Sequence, residues 1–172
     1  MPEYSAYLYL CFPIPYTFAL MKVAIYGRDF STKLPARQEA HTDSTADALQ
    51  TLFTRLDKAG VEVLVYEPFL KHLGKKIKAK NTFTKHEELK GKVKFLFSIG
   101  GDGTFLETVR FVRDSGIPVV GINTGRLGFL SGITKEEIEP AVDALLKGKY
   151  SLDKRTLLEL NIKGKYLSLI HI

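Results

Sequence analysis

The sequence has no tryptophan, only two methionines and a single cysteine, Cys11, among its 172 residues. One cysteine excludes an internal disulfide framework and any zinc site built on cysteines. No run of eighteen apolar residues occurs, so a membrane-spanning helix is not expected. Internal repeats and low-complexity tracts are missing as well. The first twenty residues carry one charge, Glu3, and lack the basic leader of a secretory signal. The composition is ordinary for a globular chain, with 45% hydrophobic and 26% charged residues. It argues against disordered and fibrous classes. The length suits one domain, or one domain and part of another.

The net charge of +6 is uneven. Between Lys71 and Lys94 nine lysines face only Glu87 and Glu88, a local balance of +7. Nucleic-acid binding would call for arginines and aromatics interleaved along a groove-sized face, whereas Phe83 is the one interior aromatic here. Two readings stay open for this stretch. It is either a solvated helix-and-loop surface or an approach path for a phosphate-bearing ligand.

Residues 1–20, rich in tyrosine and proline, differ in composition from the rest of the chain, and they read either as an extension ahead of a true start at Met21 or as a genuine N-terminal arm. From there the pattern alternates. Short apolar runs at 22–27, 61–67, 93–99 and 117–122 read as strands. Ala46, Leu49, Phe53 and Leu56 make a helical stripe over 43–59, with Asp43 or Ser44 as N-cap and Gly60 as stop. Phe105, Val109 and Val112 define a helix that stops before Gly116, and another fits 135–147, closed by Gly148. This alternation predicts an α/β domain over 21–150, a parallel sheet with helices on both faces. Residues 151–162 and 164–172 read as extended segments, expected to begin a truncated, β-rich second domain. The closing YLSLIHI is open to a reading as read-through sequence.

Chemistry concentrates at two turns. The first, Ser98-Ile99-Gly100-Gly101-Asp102-Gly103-Thr104, joins a strand directly to a helix. In a parallel sheet this is the carboxyl edge, where open α/β folds bind ligands. Glycines let the backbone approach a ligand, and the helix N-terminus favours phosphate. Asp102 does not suit a phosphate cradle, since its carboxylate repels the ligand. It fits instead a base for a hydroxyl, or a partner for a magnesium–phosphate unit; a plain helix cap is the rival reading. The turn is neither of the usual nucleotide loops. The second turn, Gly121 to Leu130, comes after the next strand and is expected beside the first. Asn123 and Thr124 there suit ribose or backbone hydrogen bonds. Phe129 suits either base stacking or a core plug, and Arg126 either phosphate or plain solvent.

Together GGDGTFLETV and GINTGRLGFL resemble the NAD kinase family, over roughly Met21 to Asn161. GGDGT alone is shared with diacylglycerol-type lipid kinases and phosphofructokinases; GINTGRLGFL separates the families. The resemblance implies phosphoryl transfer from ATP or polyphosphate, with magnesium, to the adenosine 2′-hydroxyl of NAD, giving NADP. It implies Asp102 as proton acceptor, with Gly103, Leu106 and Phe129 in the NAD contact. Gly100, Gly101, Thr104 and Asn123 would support the loops. Glu107 departs from the pattern, since many relatives carry a basic residue there. The family's asparagine–acidic pair is also missing, because Asn161 precedes Ile162 and Asn123 precedes Thr124.

We therefore expect an N-terminal fragment, inactive alone, of a cytoplasmic enzyme that acts on small-molecule nucleotides and forms a homo-oligomer when whole. No nucleic-acid or membrane partner is expected. A lipid kinase of the same superfamily and a non-catalytic nucleotide-binding fragment are the alternatives. His41, His72, His86 and His171 show no metal-ligand spacing and are expected at the surface, and Asp29 is expected in a turn.

Overall fold

A computed structural model describes residues 21–28, 39–73, 77, 79–125, 128–155, 157–162 and 165–170. The expectations for residues 1–20, Cys11, Asp29, Arg126 and His171 lie outside the described residues. Five strands form one parallel sheet: β1 (Lys22–Gly27), β2 (Glu62–Tyr66), β3 (Asn81–Phe83), β4 (Phe95–Ile99) and β5 (Val119–Ile122). Their spatial order is β3-β2-β1-β4-β5, and every pairing is parallel. The chain thus winds outward from β1 in one direction, then returns to place β4 on its other side. The topology reverses between β1 and β4, and a crevice opens at such a point beyond the carboxyl ends of the strands.

The side-chain alternation of β1 shows how the two faces are filled. Val23 and Ile25 point into a layer built with Leu49, Leu52 and Leu56 of α1 (Glu39–Lys58), Phe69 of α2 (Glu67–Leu73) and Ile138 and Val142 of α5 (Ile138–Leu146). Ala24 and Tyr26 point the other way, against Phe111 and Val112 of α4 (Val109–Val112), with Phe83, Leu89, Leu96 and Ile117. Helices therefore cover both faces. The ion pair between Arg55 and Asp143 ties α1 to α5 at the edge of the first layer. Tyr26, Tyr66, Phe83 and Phe111 form an aromatic cluster in the second, with ring centroids 5.1–5.7 Å apart. The last two strands, β6 (Leu157–Ile162) and β7 (Lys165–Ile170), pair antiparallel as a separate two-stranded sheet.

The structure corrects several local expectations. α1 begins at Glu39, so Asp43 and Ser44 lie inside the helix rather than at its cap. The expected helix before Gly116 is broken into α3 (Asp102–Glu107) and α4 at Thr108. Thr108 is buried, and its hydroxyl donates to the Phe105 carbonyl at 2.6 Å, drawing on a backbone acceptor three residues back. The Lys71–Lys94 stretch is not simply a solvated surface, for it contains β3 and buries Phe83, His86 and Leu89. His86, expected at the surface, is buried with Nδ1 2.6 Å from the Phe111 carbonyl oxygen.

Leu96, fully buried in β4, sets the scale of this core. Leu96→Ala is expected to lower the unfolding free energy by about 2–5 kcal/mol, because partial relaxation leaves a cavity. Urea unfolding of the two proteins measures the difference.

Candidate active site

β4 runs directly into the first turn. Gly100 holds φ at +145°, a conformation that strains any residue with a side chain. Its N–H donates to the Ile122 carbonyl at 2.9 Å, joining the ends of β4 and β5. Buried Thr104 packs so close beneath it that a Cβ on Gly100 would lie 2.5 Å from Oγ1. Gly101 then caps α3 with extended backbone, and its carbonyl accepts from the N–H groups of Thr104 and Phe105 at 3.0 and 3.1 Å. Gly100, Gly101 and Thr104 thus form the frame on which Asp102 is mounted.

Asp102 reaches across to the second turn. Oδ2 accepts from the N–H of Phe129 at 2.8 Å, and Oδ1 from those of Leu130 and Ser131 at 2.9 and 3.1 Å. Gly128 makes this approach possible, since a Cβ there would lie 2.2 Å from Oδ1. The N–H groups of Phe129 and Leu130 above all, and of Ser131, hold the carboxyl below its ordinary value, so the group is anionic at neutral pH. A carboxylate offers roughly four lone-pair positions. Three are occupied by the backbone, and the remaining one is on Oδ2. Asp102 is therefore more than the helix cap of the rival reading: it clamps the two turns and keeps one acceptor position for an incoming donor.

A cation stands beside the first turn, against Gly103. Arg28 comes directly after β1, and its Nη2 lies 2.9 Å from where a Cβ on Gly103 would sit. Glu107 fixes it there, accepting from Nε at 2.8 Å with Nη2 at 2.7 Å, while Tyr26 donates its hydroxyl to the same carboxylate at 2.5 Å. Burial works against the Glu107 carboxylate. The Tyr26 and Arg28 hydrogen bonds, with the charges of Arg28 and Arg110, nonetheless hold its pKa below the ordinary value. Burial and the bond to Glu107 push the Tyr26 hydroxyl up, so it stays a donor. The acidic residue at 107 positions an arginine supplied by the end of a different strand. Arg28 escaped the sequence reading, although the rule applied to β4, that strand ends carry chemistry, points equally to the residue after β1.

The second turn lies beside the first, as expected, because β4 and β5 are paired up to Ile99 and Ile122. Asn123 is buried and serves the backbone. Its Oδ1 accepts from the Gly125 N–H at 2.8 Å, and its Nδ2 donates to the Ser131 carbonyl at 3.3 Å. Thr124 receives a hydrogen bond from Thr45 at 3.2 Å. Phe129 is 96% exposed and so is not a core plug, and Leu106, one turn along α3, is 38% exposed. Apolar surface is thus left beside an anionic acceptor and a cation.

The ATP-NAD kinase N-terminal domain family matches residues 35–150. An NAD kinase of Flavobacterium psychrophilum is 37% identical over 148 residues, covering 84% of this chain and 47% of the relative. One of Christiangramia forsetii is 41% identical over 141 residues, covering 80% of this chain and 44% of the relative. The chain spans about half the length of the curated relatives it matches. The crystal structure of yeast NADH kinase complexed with NADH superposes with a TM-score of 0.65 at 22% identity, covering 88% of this chain and 46% of that one. It shares the fold.

The Asp102 clamp has a pH signature. It is complete above the ordinary carboxylate value of 3.8 and is lost as pH falls through the lower folded value. Amide NMR shifts of Phe129, Leu130 and Ser131 are expected to titrate together, with a midpoint below 3.8. Gly128→Ala drives a methyl group into the carboxylate, and is expected to move that midpoint up towards the ordinary value.

Proposed function

The chain belongs to the NAD kinase family, and from that membership we propose that the whole protein transfers a phosphoryl group to the adenosine 2′-hydroxyl of NAD, giving NADP. Residues 21–150 would form its α/β domain and 151–172 the start of a β-rich second domain. The observation that supports this reading best is the free lone pair of Asp102 at the reversal point of the sheet, with Arg28 against Gly103 and Phe129 exposed beside it.

Each group has a part. The 2′-hydroxyl would donate to the free position on Oδ2, which fixes the direction of its oxygen. Three backbone donors make Asp102 a weak base, so it orients the hydroxyl early and takes the proton late. That order suits phosphoryl transfer, in which positioning and electrostatics do most of the work and the transition state is loose. Arg28, against Gly103, would meet a phosphate of the dinucleotide, and Phe129 and Leu106 would offer apolar surface to the adenine. Gly100, Gly101, Thr104 and Asn123 hold the two turns.

The residues at this rim do not fit a resident divalent ion. Asp102 uses three of its acceptor positions on N–H groups, and Glu107 is bound to Arg28 and Tyr26. No group of three metal-binding side chains occurs among the described residues. A magnesium ion would arrive on the phosphates of the donor, ATP or polyphosphate, as part of the substrate. No described helix is long and apolar enough to cross a membrane. A cytoplasmic homo-oligomer is the setting we propose.

In the full-length protein, Asp102→Asn is expected to lower kcat by about 10²–10⁴-fold, the usual contribution of such a group, with the fold intact by circular dichroism. Near-native NADP formation would remove Asp102 from this role. Arg28→Ala is expected to raise the KM for NAD about tenfold with kcat little changed, the mark of a contact made equally in ground and transition states. Diacylglycerol offered in place of NAD is expected to remain unphosphorylated.

A further inference from the structure

Lys85 of the lysine-rich stretch and the two arginines of the α4 segment touch no substrate in the chemistry above, yet they meet. A cavity of about 330 Å³ opens beside the ends of β2 and β3, where Lys85, Arg110 and Arg113 share its wall with Tyr66 and Thr84. Among the described residues, Glu87 is the one carboxylate that lines it, and none of these three cations has a salt-bridge partner.

Two of the cations are held in place. The Arg110 guanidinium lies 4.7 Å from the Phe111 ring centroid and 5.5 and 5.6 Å from those of Tyr26 and Tyr66. Its Nη2 donates to the Tyr26 hydroxyl at 3.1 Å. Arg113 ends α4 at φ 41° and ψ −125°, the only described residue other than glycine with positive φ. Positive φ is uncommon for a residue with a side chain and favours glycine, so an arginine there is strained. Its Nε donates back to the Arg110 backbone carbonyl at 3.1 Å, which fixes the Arg113 side chain against the end of α4. A guanidinium fixed before binding loses less freedom when an anion arrives.

We propose that this cavity binds a small molecule carrying two or more linked phosphates, at a site separate from the Asp102 turn. The proposal does not depend on the kinase reading. Besides Glu87, the nearby carboxylates are already engaged, Glu88 by the N–H groups of Thr84 and Lys85 and Glu107 by Tyr26 and Arg28. Three cations facing Glu87 favour a polyanion over a single carboxylate ligand, and the cavity's size suits a small molecule.

Inorganic pyrophosphate titrated calorimetrically into the full chain at low ionic strength is the test. Saturable binding is expected, weakened at least tenfold by Arg113→Gly and by Lys85→Gln and unchanged by Lys135→Gln, a cation paired with Asp47 away from both sites. Arg113→Gly removes the cation at a position whose backbone glycine favours, so loss of binding there cannot be put down to misfolding. No saturable binding would overturn the site. So would binding that Arg28→Ala abolishes and Arg113→Gly leaves intact, because the anion would then sit at the Asp102 turn.

Discussion

The carboxylate of Asp102, accepting three backbone N–H groups from Phe129, Leu130 and Ser131, is the interaction on which the rest of the site depends. It draws a loop after β5 onto a turn after β4, and these two segments are 27–29 residues apart in the chain. It also sets the group's chemistry. Bonds to the charged form keep the carboxyl ionised and weakly basic, and their number leaves one direction open. A single side chain thus fixes the shape of the rim and the kind of donor it can receive. Gly128 is part of the same device, since only a residue without Cβ lets the carboxylate in.

The sheet supplies the other half. Because β1 lies between β2 and β4, the residue after β1 and the turn after β4 meet at the reversal point. Arg28 would be an ordinary surface charge without Glu107 to hold it, and Glu107 would be a solvated acid without Tyr26 and Arg28. Tyr26 in turn takes a hydrogen bond from Arg110, so the cavity beside β2 and β3 and the rim beside Gly103 share one buried hydroxyl. Packing on the second face of the sheet and charge at its edge are one connected structure.

Much of this was legible in the chain. The strands β1, β2, β4 and β5 are apolar runs bounded by glycine or proline, and α1 and α5 are period-3.6 stripes that stop at Gly60 and Gly148. Other elements were not. β3 has one buried residue, Phe83, and becomes a strand only through its register against Leu64–Tyr66. α2 continues from β2 without a break, and Pro68 in its first turn was the available signal. Thr108 carries no breaker signature; the helix parts there because a buried hydroxyl turns back on the Phe105 carbonyl. His86 is buried because Phe111 offers it a carbonyl, a partner from another segment.

The sequence alone determined the fold class, the two glycine turns and the choice of Asp102, because periodicity and turn chemistry are local and survive being read along the chain. Tertiary structure decided what those residues do. It made Asp102 a clamp, assigned Asn123 to the backbone and exposed Phe129. It also made Glu107 the tether of Arg28. Each of these depends on a partner brought in from a distant strand or loop, and proximity across a sheet edge is not written in any local pattern.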